Sequence, residues 1–431
     1  MSLYEERVGR VGLSTGNRQS RESVLAAETS NIQKRKKKGR VWRQVFLLAT
    51  VIGIVALMAL LINVFDGVSG YVVLHPKVDP STLAVDGVPL EEQDKGQLLG
   101  LLQQELSSGA YNKLDNEKSM TSRSRSELLA LVNQRIVRYS VEESWPLFES
   151  IRDRDEIQAY AAEVYPEERL HFVSWLSAEF ITRPQSSEPL FAGIRTAIFG
   201  SLYTILITVL FAFPMGVGAA IYLEEYADDT FLNRIIQTNI NNLAGVPSII
   251  YGILGLAVFV RVLEPLTSGA VFRLIDPTTA NGRTILSAGL TLGLLVLPLI
   301  IINAQEAIRA VPNSLRQASC GLGATRWQTI WSFILPNAIP GILTGTILAV
   351  SRAIGETAPL IVVGASTAIS VDPSSPFSKF TTLPIQIYQW TARPQAEWRH
   401  LAAAAILVLL ALLLTLNATA IVLRNRFKKK Y

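Results

Sequence analysis

Residues 316–336 read RQASCGLGATRWQTIWSFILP, a polar stretch between two apolar runs that are each long enough to cross a membrane. Residues 317–322 and 324–334 have helical composition, and Gly323 between them can adopt a positive φ angle. The sequence therefore predicts an elbow of two short helices that meet at a sharp turn. Such an elbow can dock into a groove of a partner protein and pass a rigid-body motion to the next span, which begins near Pro336. The alternative is an ordinary amphipathic helix at the membrane surface, kinked at the glycine.

The composition is that of a membrane protein. Apolar residues make up 49% of the 431 residues, charged residues 17%, and the mean hydropathy is +0.30. About 20 apolar residues are needed to cross the hydrocarbon core, and the backbone groups within it must be bonded internally, so each such stretch is expected to be helical. Six stretches qualify: 45–65, 197–223, 240–260, 284–303, 338–361 and 401–423. The predicted fold class is an all-α polytopic membrane protein with six transmembrane helices.

Basic residues flank the predicted spans and orient them. KRKKKGR at 34–40 precedes the first span, and RNRFKKKY at 424–431 follows the last. Cytoplasmic segments carry an excess of Lys and Arg, so both termini are expected to be cytoplasmic. The same rule places the elbow on the cytoplasmic side, together with Arg309, Arg316 and Arg326. The acidic turn 224–229 on that side points the other way, although acidic residues contribute little to the rule.

The chain has a recognisable division into regions. The basic tail, residues 1–44, shows no hydrophobic periodicity and is expected to be disordered. The first span is too long for the apolar region of a signal peptide, so we interpret it as a retained anchor. The region after it is long enough to fold as an extracytoplasmic domain, in which 98–114 and 127–141 have the periodicity of amphipathic helices. The predicted divisions are 1–44 (tail), 45–65 (first span), 66–190 (insert domain), 191–426 (membrane core, with the elbow at 316–336) and 427–431 (basic cytoplasmic end).

Several functions are disfavoured by what the sequence lacks. It contains no Gly-x-x-x-x-Gly-Lys-Ser/Thr loop, so it is not expected to bind ATP itself. Its three histidines lie far apart and no Gly-x-Ser-x-Gly motif is present, so neither a metal site nor a catalytic site is predicted. The net charge of +5 comes from clusters at membrane boundaries, where lipid headgroups rather than nucleic acid are the expected partners. The lone Cys320 cannot form an internal disulfide.

A charged pair lies inside the predicted fifth span. In SRAIGETAP, at 351–359, Arg352 and Glu356 are four residues apart on one predicted helix face, and Thr357 follows the acid. Each ionisable group at the bilayer centre costs about 2.5 to 3.5 kcal/mol, so such groups usually face a cavity and mark a substrate path. The planar fork of an arginine matches the oxygens of a phosphate. The alternative is a local ion pair that only holds the helix bundle together.

The predicted third span contains helix-breaking residues. LAGVPSIIYGIL, at 243–254, includes Gly245, Pro247 and Gly252, and it offers the hydroxyl of Ser248. The backbone freed at the proline must bond to neighbours or line a watery cavity. A bend that lines a pore and a kink that permits close helix packing are both consistent with this pattern.

The elbow and several longer motifs resemble one family of transport proteins. Gln317-Ala318-Ser319, Gly323 and Leu335-Pro336 have the spacing of the EAA loop of ABC-transporter permeases. Over residues 192–426 the chain resembles the PstA-type permeases of phosphate-specific ABC importers. The motifs that carry this resemblance are IYLEEYA, NLAGVPSIIYGILG, AIRAVPNSLRQA, LGATRWQTI, LPNAIPGILTGTILAVSRAIGETAPL, LPIQIYQW and LRNRF.

The resemblance implies the fold, the function and the partners of the chain. It implies a type I ABC-importer permease core that forms half of a phosphate pathway in the inner membrane of a prokaryote. The implied partners are a second permease (PstC), cytoplasmic ATPase subunits (PstB) that bind the ATP, and an external phosphate-binding protein (PstS). The chain itself would need no cofactor. Residues 66–190 exceed the modest loop of shorter members, which indicates a variant with a long insert.

The resemblance also assigns roles to residues. It implies contact with the ATPase for Gln317, Ala318, Ser319, Gly323, Ala324, Thr325, Arg326 and Pro336, and Trp327 and Trp331 are natural anchors at the interface. It places Arg352 and Glu356 in the substrate pathway, and we add Thr357 and Ser248. Gln317 and Ser319 depart from the Glu and Ala of the family pattern. The other interpretations are a sensor or scaffold built around 66–190, a secondary transporter, and a permease for another oxyanion.

Overall fold

The computed structural model describes residues 15–85, 87–117, 119–166, 168–274, 281–365, 369 and 371–427. The chain divides into two compact units, residues 1–63 and 64–431. Helices make up most of the described residues, which confirms the predicted helical membrane fold, although the predicted all-α class does not extend to the insert domain.

The first unit is formed by one long helix, α1 (Thr15–Asp66). Its portion Arg35–Asp66 is apolar and long enough to cross a membrane, and its apolar side chains are exposed, as expected for a helix whose solvent is lipid. The prediction of disorder is wrong for residues 15–44, and residues 1–14 lie outside the described residues. The tail is rich in Arg, Glu, Gln, Ala and Lys, which favour helix, and extending an existing helix avoids the unfavourable nucleation step.

The insert domain contains a three-stranded antiparallel sheet that the sequence did not predict. β1 (Ser69–Pro76) is central and pairs with β2 (Tyr139–Ser144) and β3 (Arg169–Ser174). Val72 and Val73 of β1 point to opposite faces and are both 1% exposed, so the central strand is covered on both sides. The helices of this region are α2 (Lys95–Glu105), α3 (Ser108–Glu117), α4 (Arg125–Val132), α5 (Leu147–Arg152), α6 (Arg154–Val164) and α7 (Ala178–Thr182).

The two amphipathic helices predicted in this domain are shorter than expected. The pattern at 98–114 is divided between α2 and α3, because the chain is extended at Leu106. The pattern at 127–141 ends in a π-helical turn at Asn133–Val137, and Arg138 then adopts a φ of +50°. Residues from Tyr139 onward belong to β2, because pairing with β1 outweighs the local periodicity.

The insert domain has an internal core and a second core that it shares with the membrane region. Leu98, Leu102, Met120, Leu128 and Val132 are fully buried in the internal core. The shared core brings side chains of the sheet region together with Trp390, Trp398 and Leu401 of the membrane region. The insert is therefore packed directly on the membrane core.

His400 forms a second link between the insert and the membrane core. Its ring lies 5.7 Å from the ring of Trp175 in a stacked arrangement. Its Nδ1 lies 2.7 Å from the carbonyl oxygen of Gly67, and its Nε2 lies 3.1 Å from the hydroxyl of Ser144. Because a carbonyl can only accept, Nδ1 donates the bond to Gly67. His400 is therefore a structural contact rather than a scattered surface residue.

The membrane core is a bundle of long and broken helices. Its elements are α8 (Arg195–Ile221), α9 (Phe231–Leu243), α10 (Ser248–Gly255), α11 (Glu264–Thr267), α12 (Ile285–Arg309), α13 (Asn313–Gly321), α14 (Arg326–Thr329), α15 (Leu335–Gly355), α16 (Ala358–Val363), α17 (Leu383–Thr391) and α18 (Ala396–Phe427). π-helical turns extend α8 over Tyr222–Tyr226, extend α10 over Leu256–Val262, and join α14 to α15 over Ile330–Ile334.

The observed spans match most of the predicted ones. By length and apolar composition, the segments able to cross a membrane in this unit are Arg195–Tyr226, Ile285–Arg309, Arg326–Gly355 and Ala396–Arg426. The third span predicted at 240–260 is broken where its helix-breaking residues indicated: α9 and the helical run Ser248–Val262 meet at an angle of 107°, and together they are apolar enough to form one bent span. Gly245 and the extended backbone of Pro247 form this bend. The fifth span begins earlier than predicted and ends at Gly355 rather than at Ile361.

α12 is the central helix of the membrane core. It packs against α8, α10, α15 and α16, and 67% of its most apolar 18-residue stretch is buried. Gly293 permits the close approach of α8, since a Cβ there would lie 2.5 Å from Cδ1 of Phe211. The central position of α12 places its two ends at opposite faces of the bundle.

Candidate functional site

The elbow predicted from residues 316–336 is present. α13 ends at Gly321, and Gly323 adopts a φ of +82°. Thr325 then caps α14: its side chain accepts from the backbone N–H of Gln328, whose own side chain accepts from the backbone N–H of Thr325. This capping box was not predicted, although the Thr-x-x-Gln spacing is visible in the sequence. Two helices at an angle therefore form, as the position of the glycine indicated.

A buried hydrogen bond locks the two arms of the elbow together. The hydroxyls of Ser319 in α13 and Thr329 in α14 lie 2.8 Å apart, and both residues are buried. The backbone N–H of Ala324 donates to the carbonyl of Ser319 at 3.2 Å. Ser319, assigned to the coupling surface, therefore faces the inside of the elbow. Where the family pattern has an alanine, Ser319 adds a hydrogen bond inside the elbow.

The outer surface of the elbow is available for a partner. Leu322 at its tip is 88% exposed. The rings of Trp327 and Trp331 stack on each other 5.6 Å apart and are also exposed. Among the coupling residues assigned by resemblance, Ala324 and Pro336 are half-buried, and those exposed are Gln317, Ala318, Gly323, Thr325 and Arg326. A partner would meet a mixed polar and apolar surface with one positive charge.

Two ion pairs tie the base of the elbow to the end of α8. Arg309 pairs with Glu224 at 2.5 Å, and Arg316 pairs with Glu225 at 2.8 Å. Arg316 also donates to the carbonyls of Ile308 and Val311. The carboxylates of this acidic turn therefore neutralise the arginines on the same face of the bundle, so the turn does not count against the predicted topology. Sequence reasoning could not find this pairing, because the partners are 85 and 91 residues apart.

The Arg352 and Glu356 pair lies at a helix break rather than on one helix face. α15 ends at Gly355, and Glu356 is extended, with φ −75° and ψ 120°. Nε of Arg352 nevertheless lies 3.4 Å from Oε1 of Glu356. The arginine side chain is 52% exposed and the glutamate side chain 18%. This long single contact leaves most of the five guanidinium N–H donors free for an anion.

Two short helices begin at the same level as this pair. α16 begins after Thr357, and α10 begins at Ser248. Gly252 of α10 packs against Pro359 of α16, since a Cβ on the glycine would lie 2.7 Å from Cα of the proline. The packing brings the start of α10 near the break that holds Glu356 and Thr357. Among the described residues, Ser248 forms no hydrogen bond to those two residues or to Arg352, so the structure does not join it to the charged pair.

Other polar contacts in the membrane core were not predicted. The side chains of Gln237 in α9 and Gln305 in α12 form a reciprocal pair, with distances of 2.7 and 3.2 Å. Ser351 donates to Asn417 of α18 at 2.6 Å. Single polar residues inside apolar runs, such as Gln305 in IIINAQEA, are the sequence signal for such contacts. Among the described residues, no group of three or more His, Cys, Asp and Glu is arranged to hold a metal ion.

The chain is similar to known permeases of ABC transporters. Residues 212–429 match the family described as the binding-protein-dependent transport system inner membrane component. A probable ABC transporter permease protein of Bacillus subtilis, YqgI, is 34% identical over 262 residues, which cover 57% of this chain and 83% of the relative. Phosphate transport system permease protein PstA 1 of Mycobacterium tuberculosis is 32% identical, with 54% and 70% covered. PstA of Yersinia pestis is 32% identical, with 55% and 73% covered.

Solved ABC transporter structures resemble the chain at lower similarity. The MetNI methionine ABC transporter in an inward-facing conformation is 19% identical with a TM-score of 0.42, and the match covers 57% of this chain and all of the other. A bacterial alginate ABC transporter is 17% identical with a TM-score of 0.44, with 65% and 90% covered. The family match spans half of the described chain and includes the elbow, the broken helices and the last span. The chain therefore belongs to the family of binding-protein-dependent transport system inner membrane components and is a multi-pass permease subunit of an ABC importer.

Proposed function

We propose that this permease imports inorganic phosphate. The observation that carries the proposal is the half-exposed guanidinium of Arg352 at the break between α15 and α16, held by one long contact to Glu356. A planar guanidinium group with free N–H donors suits a tetrahedral oxyanion. The PstA relatives, whose names describe phosphate transport systems, support phosphate among the oxyanions. In this proposal Thr357, which follows Glu356, and Ser248, at the start of α10, add hydroxyl donors to the pathway.

We propose that the elbow couples the import of phosphate to ATP hydrolysis by partner subunits. Its exposed surface supports docking on an ATPase of the PstB type, which would bind the ATP, so the permease would carry no cofactor. The other proposed partners are a second permease of the PstC type and a phosphate-binding protein of the PstS type. In this arrangement the elbow and both termini lie on the cytoplasmic side of a prokaryotic inner membrane. The insert domain then lies on the outer side.

The helix that follows the elbow provides a mechanical path to the substrate layer. Residues Arg326–Gly355 form one helical run of 30 residues, with α14 at one end and Arg352 near the other. At 1.5 Å per residue this run is about 45 Å long. A shift of the elbow that follows closure of the ATPase dimer would therefore be carried as a rigid motion to Arg352, which supports alternating access.

The test compares phosphate uptake by the assembled transporter with and without the Arg352 guanidinium. Arg352→Gln should reduce uptake by about thirtyfold or more, because loss of a charged contact costs about 2 kcal/mol at the lower end of the range for charge pairs. Arg399→Gln removes an exposed arginine at the start of α18 and serves as the matched control. Co-purification of the ATPase subunits should be unchanged. Uptake by Arg352→Gln at the control level would remove Arg352 from the pathway, and competition by sulfate or molybdate as strong as that by phosphate would refute phosphate as the substrate.

A further inference from the structure

A cavity of about 440 Å³ lies at the end of the membrane core opposite the elbow. Its lining includes Arg261, Glu264, Asn281 and Arg283. Arg283 stands just before α12, and Arg309 at the far end of α12 leads into the elbow. The 25 residues of α12 span about 37 Å at 1.5 Å per residue, so the cavity and the elbow are on opposite faces of the bundle. With the elbow on the cytoplasmic side, the cavity lies on the external side.

The described residues that line this cavity carry more positive than negative charge. Both are exposed, and among the described residues neither forms a hydrogen bond or an ion pair. Arg195, by contrast, sits at the same end of the bundle and pairs with Asp372 at 2.8 Å. Glu264 is half-buried in the cavity and supplies one negative charge against the two positive ones. The cavity therefore has a net positive charge and free donors.

The broken helices connect this cavity to the layer that holds Arg352. The helical run that begins at Ser248 ends with the π-helical turn Leu256–Val262, which contains Arg261. α16 begins next to Glu356 and ends at Gly364, which has a φ of +108°. The side chain of Arg283 covers this glycine, since a Cβ there would lie 2.5 Å from Cδ of the arginine. The six residues of α16 rise only about 9 Å, so the two arginine sites are separated by one short helix.

We infer that Arg261 and Arg283 form an outer anion-binding station, which receives the oxyanion on the external side before it reaches Arg352. Two guanidinium groups can each offer a pair of N–H donors to a tetrahedral oxyanion. The carboxylate of Glu264 in the open cavity keeps binding weak, as a station on a transport route requires. The inference rests on the proposed function for the class of anion.

The first experiment measures initial phosphate uptake in right-side-out vesicles that contain the whole transporter, with binding protein supplied outside. Arg261→Gln with Arg283→Gln should lower uptake about tenfold at low salt, the lower end of the range for electrostatic steering. Arg399→Gln removes one positive charge from the same external face and serves as the control for the loss of charge alone. Near 1 M salt the loss relative to wild type should shrink to less than about twofold, because the screening length falls to about 3 Å. Replacing both arginines by lysine should restore uptake only in part, because lysine keeps the positive charge but not the paired N–H donors.

The results that overturn the station are equally specific. A double glutamine variant that matches the Arg399→Gln control at low salt would do so. If wild type itself takes up no phosphate, the proposed function fails, and this outcome is distinct from failure of the station. A loss that appears only in vesicles of anionic lipid, and not in phosphatidylcholine vesicles, would assign the arginines to lipid headgroups instead.

A second experiment reads binding without transport. Cys320 is the only cysteine, so Cys320→Ser with Asn281→Cys places one thiol in the cavity. Millimolar phosphate should slow labelling of this thiol by an anionic thiosulfonate at least threefold, and the protection should disappear when both arginines become glutamine. Ala270→Cys, an exposed position in the same loop region, is the control and should show no protection. Equal labelling of Asn281→Cys with and without phosphate would overturn the station.

Discussion

The hydrogen bond between Ser319 and Thr329 should decide how rigid the elbow is. Its hydroxyls are 2.8 Å apart and both residues are about 4% exposed, so removing one partner leaves the other buried without its bond. Such a loss costs about 1 to 3 kcal/mol, whereas removing both partners can be nearly neutral. We expect Ser319→Ala to weaken the elbow by about 1 to 2 kcal/mol, which corresponds to a roughly 5- to 30-fold loss of local protection.

Hydrogen exchange by mass spectrometry on the peptide that covers residues 319–329 measures this loss directly, because the N–H of Ala324 is bonded within the elbow. Ser319→Ala should exchange faster, Thr329→Val should do likewise, and the double variant should return to within about threefold of wild type. A softer elbow should also move less phosphate for each ATP hydrolysed. Additive losses in the double variant, or an unchanged exchange rate for Ser319→Ala, would refute the locking role of this bond.

Two further perturbations test the elbow and the contact between insert and membrane core. Gly323 has a φ of +82°, and nothing lies within 4 Å of a Cβ built there. Gly323→Val should therefore uncouple ATP hydrolysis from transport through backbone strain alone, which costs about 1 to 2 kcal/mol. Gly323→Asn should retain most of the coupling, because asparagine tolerates this conformation. Equal coupling in the two variants would contradict this. His400→Ala removes the stack on Trp175 and two hydrogen bonds, so the Tm of the purified complex should fall by several degrees, and His171→Ala on the exposed face of β3 should leave it unchanged.

The elbow could be predicted because its signal is local. A glycine that must reverse the chain has few alternatives, and Gly323 has the positive φ that its position required. The helix bend at Pro247 was visible for the same reason, although its angle of 107° was not. The end of α15 at Gly355 was missed, and with it the position of Glu356 beyond the helix. Pro359 and Gly355 disfavour helix between them, which is a local signal that the four-residue spacing of the charged pair concealed.

The features that could not be predicted depend on distant partners. β1 pairs with strands that begin about 70 and 100 residues later in the chain, and β2 falls where the pattern favours a helix. Glu224 and Glu225 read as an exposed acidic turn until the fold brings Arg309 and Arg316 to them. The net positive charge around Arg261 and Arg283 is likewise a property of the fold, because only the fold brings the two arginines and Glu264 into one cavity.

The connections of the elbow argue that two spans must move together. The ion pair from Arg316 holds the elbow to the end of α8, the pair from Arg309 joins that end of α8 to the end of α12, and the run Arg326–Gly355 continues from the elbow without a break. Both α8 and α15 pack on α12, whose most apolar stretch is two-thirds buried and therefore resists displacement. A push on the elbow then moves α15, together with the end of α8 that Arg316 holds, against the buried body of α12. Because Arg352 lies near the end of the moving helix and Arg283 stands next to the fixed one, the same push changes the separation between the two arginine sites, which is the change that transfer of an anion from one to the other requires.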